Sequence, residues 1–339
     1  MDDNERLLTN RRLLLLVIAA ALAASGSMIA VLRADGVAAT GPIGILAMEE
    51  VPSRATGPVV SRVALDPLGR YLATTGDDHV VRLWDPRSGQ ILRRLEGHTD
   101  WLRACAFDPQ GQWLATAGQD RQVIVWDVPA GRIARRVGRL PAAIFDLAFS
   151  PDGKTLAAGG FDSALRLFDP ATGAALATLD SGGRDVRALA FSPDGQLLAA
   201  AGSQGRIRII AVDGGGQATD LPGDGRAVAA LAFRSDGAAL ASAGDGAEIS
   251  IWDMATGSLA ATLPARPGKV MALTWCGADR LAAGGSDNTI RVWEPSTQRE
   301  VARLAGHTGS VSTLVFHGGE GQLISGSYDT TVRLWAMGQ

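Results

Sequence analysis

The sequence predicts an all-β fold, a seven-bladed β-propeller of four-stranded blades, preceded by one apolar helix near the N-terminus. Three observations predict it. A pattern of about 42 residues runs seven times through the chain, each unit carries its own hairpin-turn signal, and an uncharged run separates Arg12 from Arg33 ahead of the first unit.

Taken from the N-terminus, Leu13 to Leu32 holds no charged residue. At about 1.5 Å per helical residue, such a run crosses a hydrocarbon core of roughly 30 Å. Arg6, Arg11 and Arg12 precede it and only Arg33 follows closely, so residues 1–12 are expected in the cytoplasm. The remainder is then extracytoplasmic, and periplasmic if the source is bacterial. Apolarity continuing through "SMIAVL" (27–32) favours a retained signal anchor over 13–32. The alternative is cleavage after Ala23 and secretion, with Leu13–Ala20 as the signal core. Residues 33–42 read as a short linker.

The repeat follows. Leu65, Phe107, Phe149, Phe191, Phe233, Trp275 and Phe316 mark one column, and Trp84, Trp126, Phe168, Ile210, Trp252, Trp293 and Trp335 mark a second. Successive members stand 42 residues apart, shortened once to 41 where "CGADR" tightens a turn in the sixth unit. Within a unit, "ALAF" and "QLLAAAG" are apolar runs of strand length that enclose "SPDG" (192–195). Pro193 suits the second place of a type I turn and Gly195 the fourth. "VVRLWD" (80–85) forms a third strand, with Val81 and Leu83 on one face and Arg82 and Trp84 on the other. "QILRRLEG" (90–97) forms a more polar fourth. No unit has a helical period, which excludes a helical solenoid.

"GHTD" (97–100) with "VIVWD" (123–127), and "GHTG" (306–309) with "VRLW" (332–335), resemble WD40 repeats, over residues 43–339. The resemblance implies a hydrogen-bonded set in each complete blade: His98, Thr116, Asp120 and Trp126 in the second, His307, Ser325, Asp329 and Trp335 in the seventh. It also implies closure of the ring by a strand from the N-terminal side, here "IGILAMEEV" (43–51). Other blades depart from the pattern. Blade one keeps Thr74, Asp78 and Trp84 without a GH pair; blade six has Ala283 in the Ser/Thr place; blade five's Asp is shifted to Asp245; blade four, with Gln204 and Ile210, has lost the set.

Chemistry is sparse. A hydrophobic content of 46% supplies a large core, and a formal net charge of −3 without a basic block argues against nucleic acid. Cys105 and Cys276 lack metal or haem spacing, and the four histidines are scattered. "GKT" (153–155) has no glycine five residues earlier and sits in a hairpin, so it is no phosphate loop. Neither GxSxG nor GxGxxG occurs. No catalytic residue, cofactor or metal is expected. The arginines of "GRIARRVGR" (131–139) read as protection of a sheet edge.

Binding is the better expectation, partly by resemblance. WD40 propellers usually make contacts through their narrow top face, whose matching positions are Asp77, Gln119, Phe161, Ser286 and Tyr328, with Trp101, Asp185, Lys269 and Ser310. Trp101, Phe161 and Tyr328 fall in one arc, since blade seven closes on blade one. The functional expectation is a non-catalytic scaffold tethered to the membrane that holds a protein or peptide. Its alternative is an exported propeller that senses or acts on a small ligand in its central channel.

Overall fold

In a computed structural model of the chain, the described residues are 31–32, 38–48, 57–212, 218–265 and 268–337. They form seven sheets arranged as the blades of a propeller, each built on four antiparallel strands. Blade two shows the plan: Leu102–Phe107 innermost, then Trp113–Gly118, Gln122–Asp127 and Arg132–Arg139. Because the strands run up and down in order, the second-to-third turns and the lead-ins to the inner strands share one face of the ring.

The core lies between blades. Val81 and Leu83 of blade one join Leu102, Leu114, Ile124 and Trp126 of blade two in a single cluster. Trp84, on the opposite face of the same strand, packs toward blade seven with Ile324, Val332 and Leu334. Both faces of that strand are therefore buried, which is why its sequence reads as a nearly unbroken apolar run rather than a clean alternation.

The last sheet takes its outer strand from far upstream. Gly44–Ala47 pairs antiparallel with Thr331–Leu334 of the strand Thr331–Ala336. The backbone of Ile43 donates to Leu334 O at 2.8 Å and that of Met48 to Thr330 O at 2.9 Å, framing the pairing. Leu46 and Met48 point into the seam with blade one.

Each second strand ends in a residue crossed closely by the lead-in to the inner strand. In blade two, a Cβ on Gly118 would overlap the carbonyl of Trp101, at the point where the inner strand shifts register between Leu102 and Ala104. In blade two glycine leaves room for that approach. Blade seven has Ser327 in this place and uses it, since the hydroxyl donates to Gly309 O at 2.9 Å.

The N-terminal region differs from expectation where it is described. Val31–Leu32, assigned by sequence to the end of the apolar helix, pairs as a strand with Ala38–Ala39. Ala38–Thr40, assigned to the linker, runs parallel to Ala302–Leu304 on the outer edge of blade six. An open strand edge offers unpaired N–H and C=O groups, and this stretch of backbone satisfies them. Residues 1–30, with most of the 13–32 run, lie outside the described residues, as do 49–51. Among the described residues no helix is long and apolar enough to cross a membrane.

Candidate functional site

Two blades carry a complete polar set in their interior. In blade two the His98 Nδ1–H donates to Asp120 Oδ2 at 2.7 Å, since a carboxylate only accepts. His98 Nε2 meets Thr116 Oγ1 at 2.8 Å, and Trp126 Nε1 donates to the same hydroxyl at 2.7 Å. His307, Asp329, Ser325 and Trp335 repeat this in blade seven at 2.8, 2.7 and 2.8 Å. The chain of bonds ties the lead-in, the second strand, the turn and the third strand together, and its members are buried or nearly so. These residues hold the blade; their polar atoms face one another.

Burial alone would raise the Asp120 carboxyl, but the hydrogen bonds from His98 and from the backbone of Gln122 and Thr99 outweigh it and hold it low. Asp329 is likewise raised by burial but lowered more by His307, Thr331 and Thr308, to well below the usual carboxylate range. Both carboxyls therefore ionise more readily in the ring than in the unfolded chain. Their contribution is complete above the unfolded value of about 3.9 and is lost as pH falls toward the folded value. Asp329→Asn is expected to lower stability by about 2 kcal/mol at neutral pH and to flatten the loss below about pH 4, as calorimetry across pH would show.

Where the histidine is missing, arginine often takes over. Asp78 pairs with Arg82 at 2.6 Å in blade one, Asp162 with Arg166 at 2.7 Å in blade three and Asp287 with Arg291 at 2.6 Å in blade six. The signal was present as "VRLW", "LRLF" and "IRVW", with arginine two residues before each aromatic. Blade one also retains Trp84 Nε1 to Thr74 Oγ1 at 2.9 Å, with Met48 Sδ accepting from that hydroxyl at 3.7 Å. Blade five keeps Trp252 to Ser242 at 2.8 Å, while its shifted Asp245 pairs with Lys269. Blade six is incomplete: Trp293 Nε1 is buried with no acceptor among the described residues, and Ala283 stands where a hydroxyl would be. Ala283→Ser is expected to supply that acceptor and stabilise the ring by about 1 kcal/mol, read from the denaturation midpoint.

Among the described residues, one charged pair lines the cavity in the channel. Arg62 on the inner strand Val60–Leu65 of blade one donates to Asp146 on the inner strand Ile144–Phe149 of blade three. Asp146 also accepts from the backbone of Leu189 in blade four at 2.9 Å. Apolar residues including Leu189, Leu231, Met271 and Leu314 line the rest. Among the described residues no group of His, Cys, Asp and Glu is arranged to hold a metal. Burial pushes both thiols, Cys105 and Cys276, up to about 12, which keeps them protonated at neutral pH.

On the face bearing the second-to-third turns, Arg103 gathers several of the expected contact residues. Its guanidinium lies 4.2 Å from the Trp101 ring centre and 5.2 Å from that of Phe145. Phe145 stacks at 4.2 Å on Phe161, which is 51% exposed. With its amide oxygen turned to the guanidinium, Gln119 accepts from Arg103 Nε at 2.9 Å and Nη2 at 3.2 Å. Trp101 Nε1 donates to Ser61 of blade one at 2.6 Å. Burial raises the Tyr328 phenol while the Arg103 charge acts against it, so the two are neighbours electrostatically. Tyr328 remains 36% exposed.

The other positions serve their own loops. Asp77 accepts from the backbone of Val59 at 3.1 Å, and Asp185 accepts from Ser203 N and Oγ at 2.7 and 2.5 Å and pairs with Arg187. Ser286 Oγ accepts from the backbone of Lys269 at 2.9 Å, and Ser310 O from that of Tyr328 at 3.0 Å. Sequence reasoning missed Arg103 and Phe145. The repeat contained them: Ser61, Arg103, Phe145 and Arg187 occupy one column of the inner strands, 42 residues apart.

The model for "WD domain, G-beta repeat" matches residues 52–85, 89–127, 135–169, 173–210 and 298–336, and the "Anaphase-promoting complex subunit 4 WD40 domain" model matches 217–278. Curated relatives match locally. "Probable serine/threonine-protein kinase PkwA" of Thermomonospora curvata is 50% identical over 42 residues, 12% of this chain and 6% of its own. "Nuclear distribution protein PAC1-2" of Postia placenta is 51% identical over 35 residues, 10% of this chain and 8% of its own. "Nuclear distribution protein PAC1" of Coprinopsis cinerea is 47% identical over 38 residues, 11% of this chain and 9% of its own. The chain thus spans less than a tenth of the length of these relatives, the extent of a single repeat. With the repeat model matching more than half of its residues and the blade geometry in place, the chain belongs to the WD40-repeat family.

Proposed function

We propose that this propeller is a non-catalytic platform that holds a protein or peptide on the face carrying Trp101, Arg103, Phe145, Phe161 and Tyr328. The observation that carries the reading is the exposure of Phe161 and Tyr328 on either side of a half-buried, aromatic-stacked arginine. Aromatic side chains and arginine dominate the energetics of protein interfaces. Arg62 and Asp146, the charged groups among the described residues lining the channel cavity, are engaged with each other, which favours the outer face over the channel as the binding site. The apolar residues ahead of Val31 and the arginines before them support a tether with the ring outside the cytoplasm, periplasmic in a bacterium.

Photo-crosslinking in native membranes tests the reading. Trp101→Ala with Tyr328→Ala is expected to reduce partner capture by tenfold or more while the ring still unfolds cooperatively, by the usual effect of about 1–2 kcal/mol or more for such residues. Capture unaltered by the double change would refute it. Protease added outside intact spheroplasts should digest the ring if the tether has the proposed orientation.

A further inference from the structure

Among the described residues, Arg103 has no counter-charge in contact. Two of its nitrogens donate to the neutral amide of Gln119, and its flat faces meet Trp101 and Phe145. Among the described residues it makes no ion pair. The acids of the same arc are committed elsewhere. Asp120 accepts from His98, Asp329 from His307 and Asp77 from the backbone of Val59. Asp100 is exposed, binds the backbone of Trp101 at 2.7 Å, and acts on Arg103 only through space. Burial lowers the Arg103 pKa, which records the cost of holding this charge away from water.

A partly desolvated guanidinium with N–H groups to spare is complementary to a carboxylate. We infer that Arg103 receives the carboxylate of an aspartate or glutamate in a peptide partner, with Phe161 and Tyr328 holding apolar residues beside it. This rests on the proposed protein-binding role of the face. One unpaired positive charge matches one carboxylate. A dianionic phosphate would need a second cation, and the neighbouring Arg121 guanidinium reaches instead to Pro141 O at 3.5 Å. The exposed rings flank the charge and supply apolar surface, so the recognised motif is an acid next to an aromatic or aliphatic residue.

The test is selection of a phage-displayed random peptide library on the full-length chain in detergent micelles. Enriched peptides are expected to carry Asp or Glu beside an apolar residue. A synthetic enriched peptide and its Asn or Gln counterpart are then titrated by fluorescence anisotropy. Loss of the carboxylate should weaken binding to wild type about thirtyfold or more, and should matter little on Arg103→Met. Arg103→Lys keeps the charge without the planar fork and should bind at an intermediate level; it carries the comparison if Arg103→Met melts early. Equal binding of the acidic and amide peptides to wild type overturns the carboxylate assignment. If Trp101→Ala with Tyr328→Ala still abolishes binding in that case, the role of the face stands. Binding indifferent to both sets of changes overturns the face itself, and a selection that enriches nothing overturns both.

Discussion

Deleting residues 43–48 removes the ring's cooperative unfolding transition. That segment supplies the outer strand of blade seven and places Leu46 and Met48, 9% and 5% exposed, in the seam with blade one. Losing each buried side chain costs about 2–5 kcal/mol, against a typical total stability of about 5–15 kcal/mol. The backbone loss adds to it, because Thr331–Leu334 would be left as an open edge. The Thr74 hydroxyl would lose Met48 as its acceptor, so the damage reaches the polar set of blade one. A milder version isolates packing from pairing: Leu46→Ala should keep the transition but lower its midpoint. Calorimetry and dye binding to exposed apolar surface read both. A truncated ring that melts like wild type would show that blade seven closes on its three remaining strands.

The blades were legible because their causes are local and repeated. A turn such as "SPDG" and the Trp or Phe column recur at fixed spacing, and each copy confirms the next. The His98 and His307 sets were implied by the WD40 resemblance, and every member of each lies inside its own repeat. What escaped reading lies across repeats. Arg62 and Asp146 belong to different blades and meet only because the ring brings their inner strands to one channel. Phe145 looks like another core aromatic until its strand is placed beside that of Arg103. The arginines that replace histidine in blades one, three and six lie within their own repeats, but only the folded turn brings each to the aspartate four residues before it. The strand at Ala38–Thr40 was hidden because its partner, Ala302–Leu304, is 264 residues downstream and its own composition reads as linker.

Asp146→Leu is expected to destabilise the ring by about 3–5 kcal/mol, more than Arg62→Met does. The asymmetry follows from what each partner leaves behind. Asp146 is 3% exposed and accepts from three donors: the Arg62 guanidinium, its neighbour Leu147 N at 3.0 Å and Leu189 N at 2.9 Å in blade four. Leucine leaves the guanidinium without its carboxylate and removes the acceptor that serves blade four. Arg62→Met leaves a carboxylate that keeps both backbone donors, and Arg62's own position opens on the channel, so water can reach it. That loss should be nearer about 2–3 kcal/mol. Combining Arg62→Met with Asp146→Asn removes both charges while the amide oxygen still accepts from Leu189. The pair should cost less than the sum of its two single changes by about 1–2 kcal/mol, because contacting residues are coupled. Urea denaturation of Arg62→Met, Asp146→Asn and their combination measures this directly. Additive losses would show that Arg62 and Asp146 act on the ring independently, and that the link between blades one, three and four runs through packing alone.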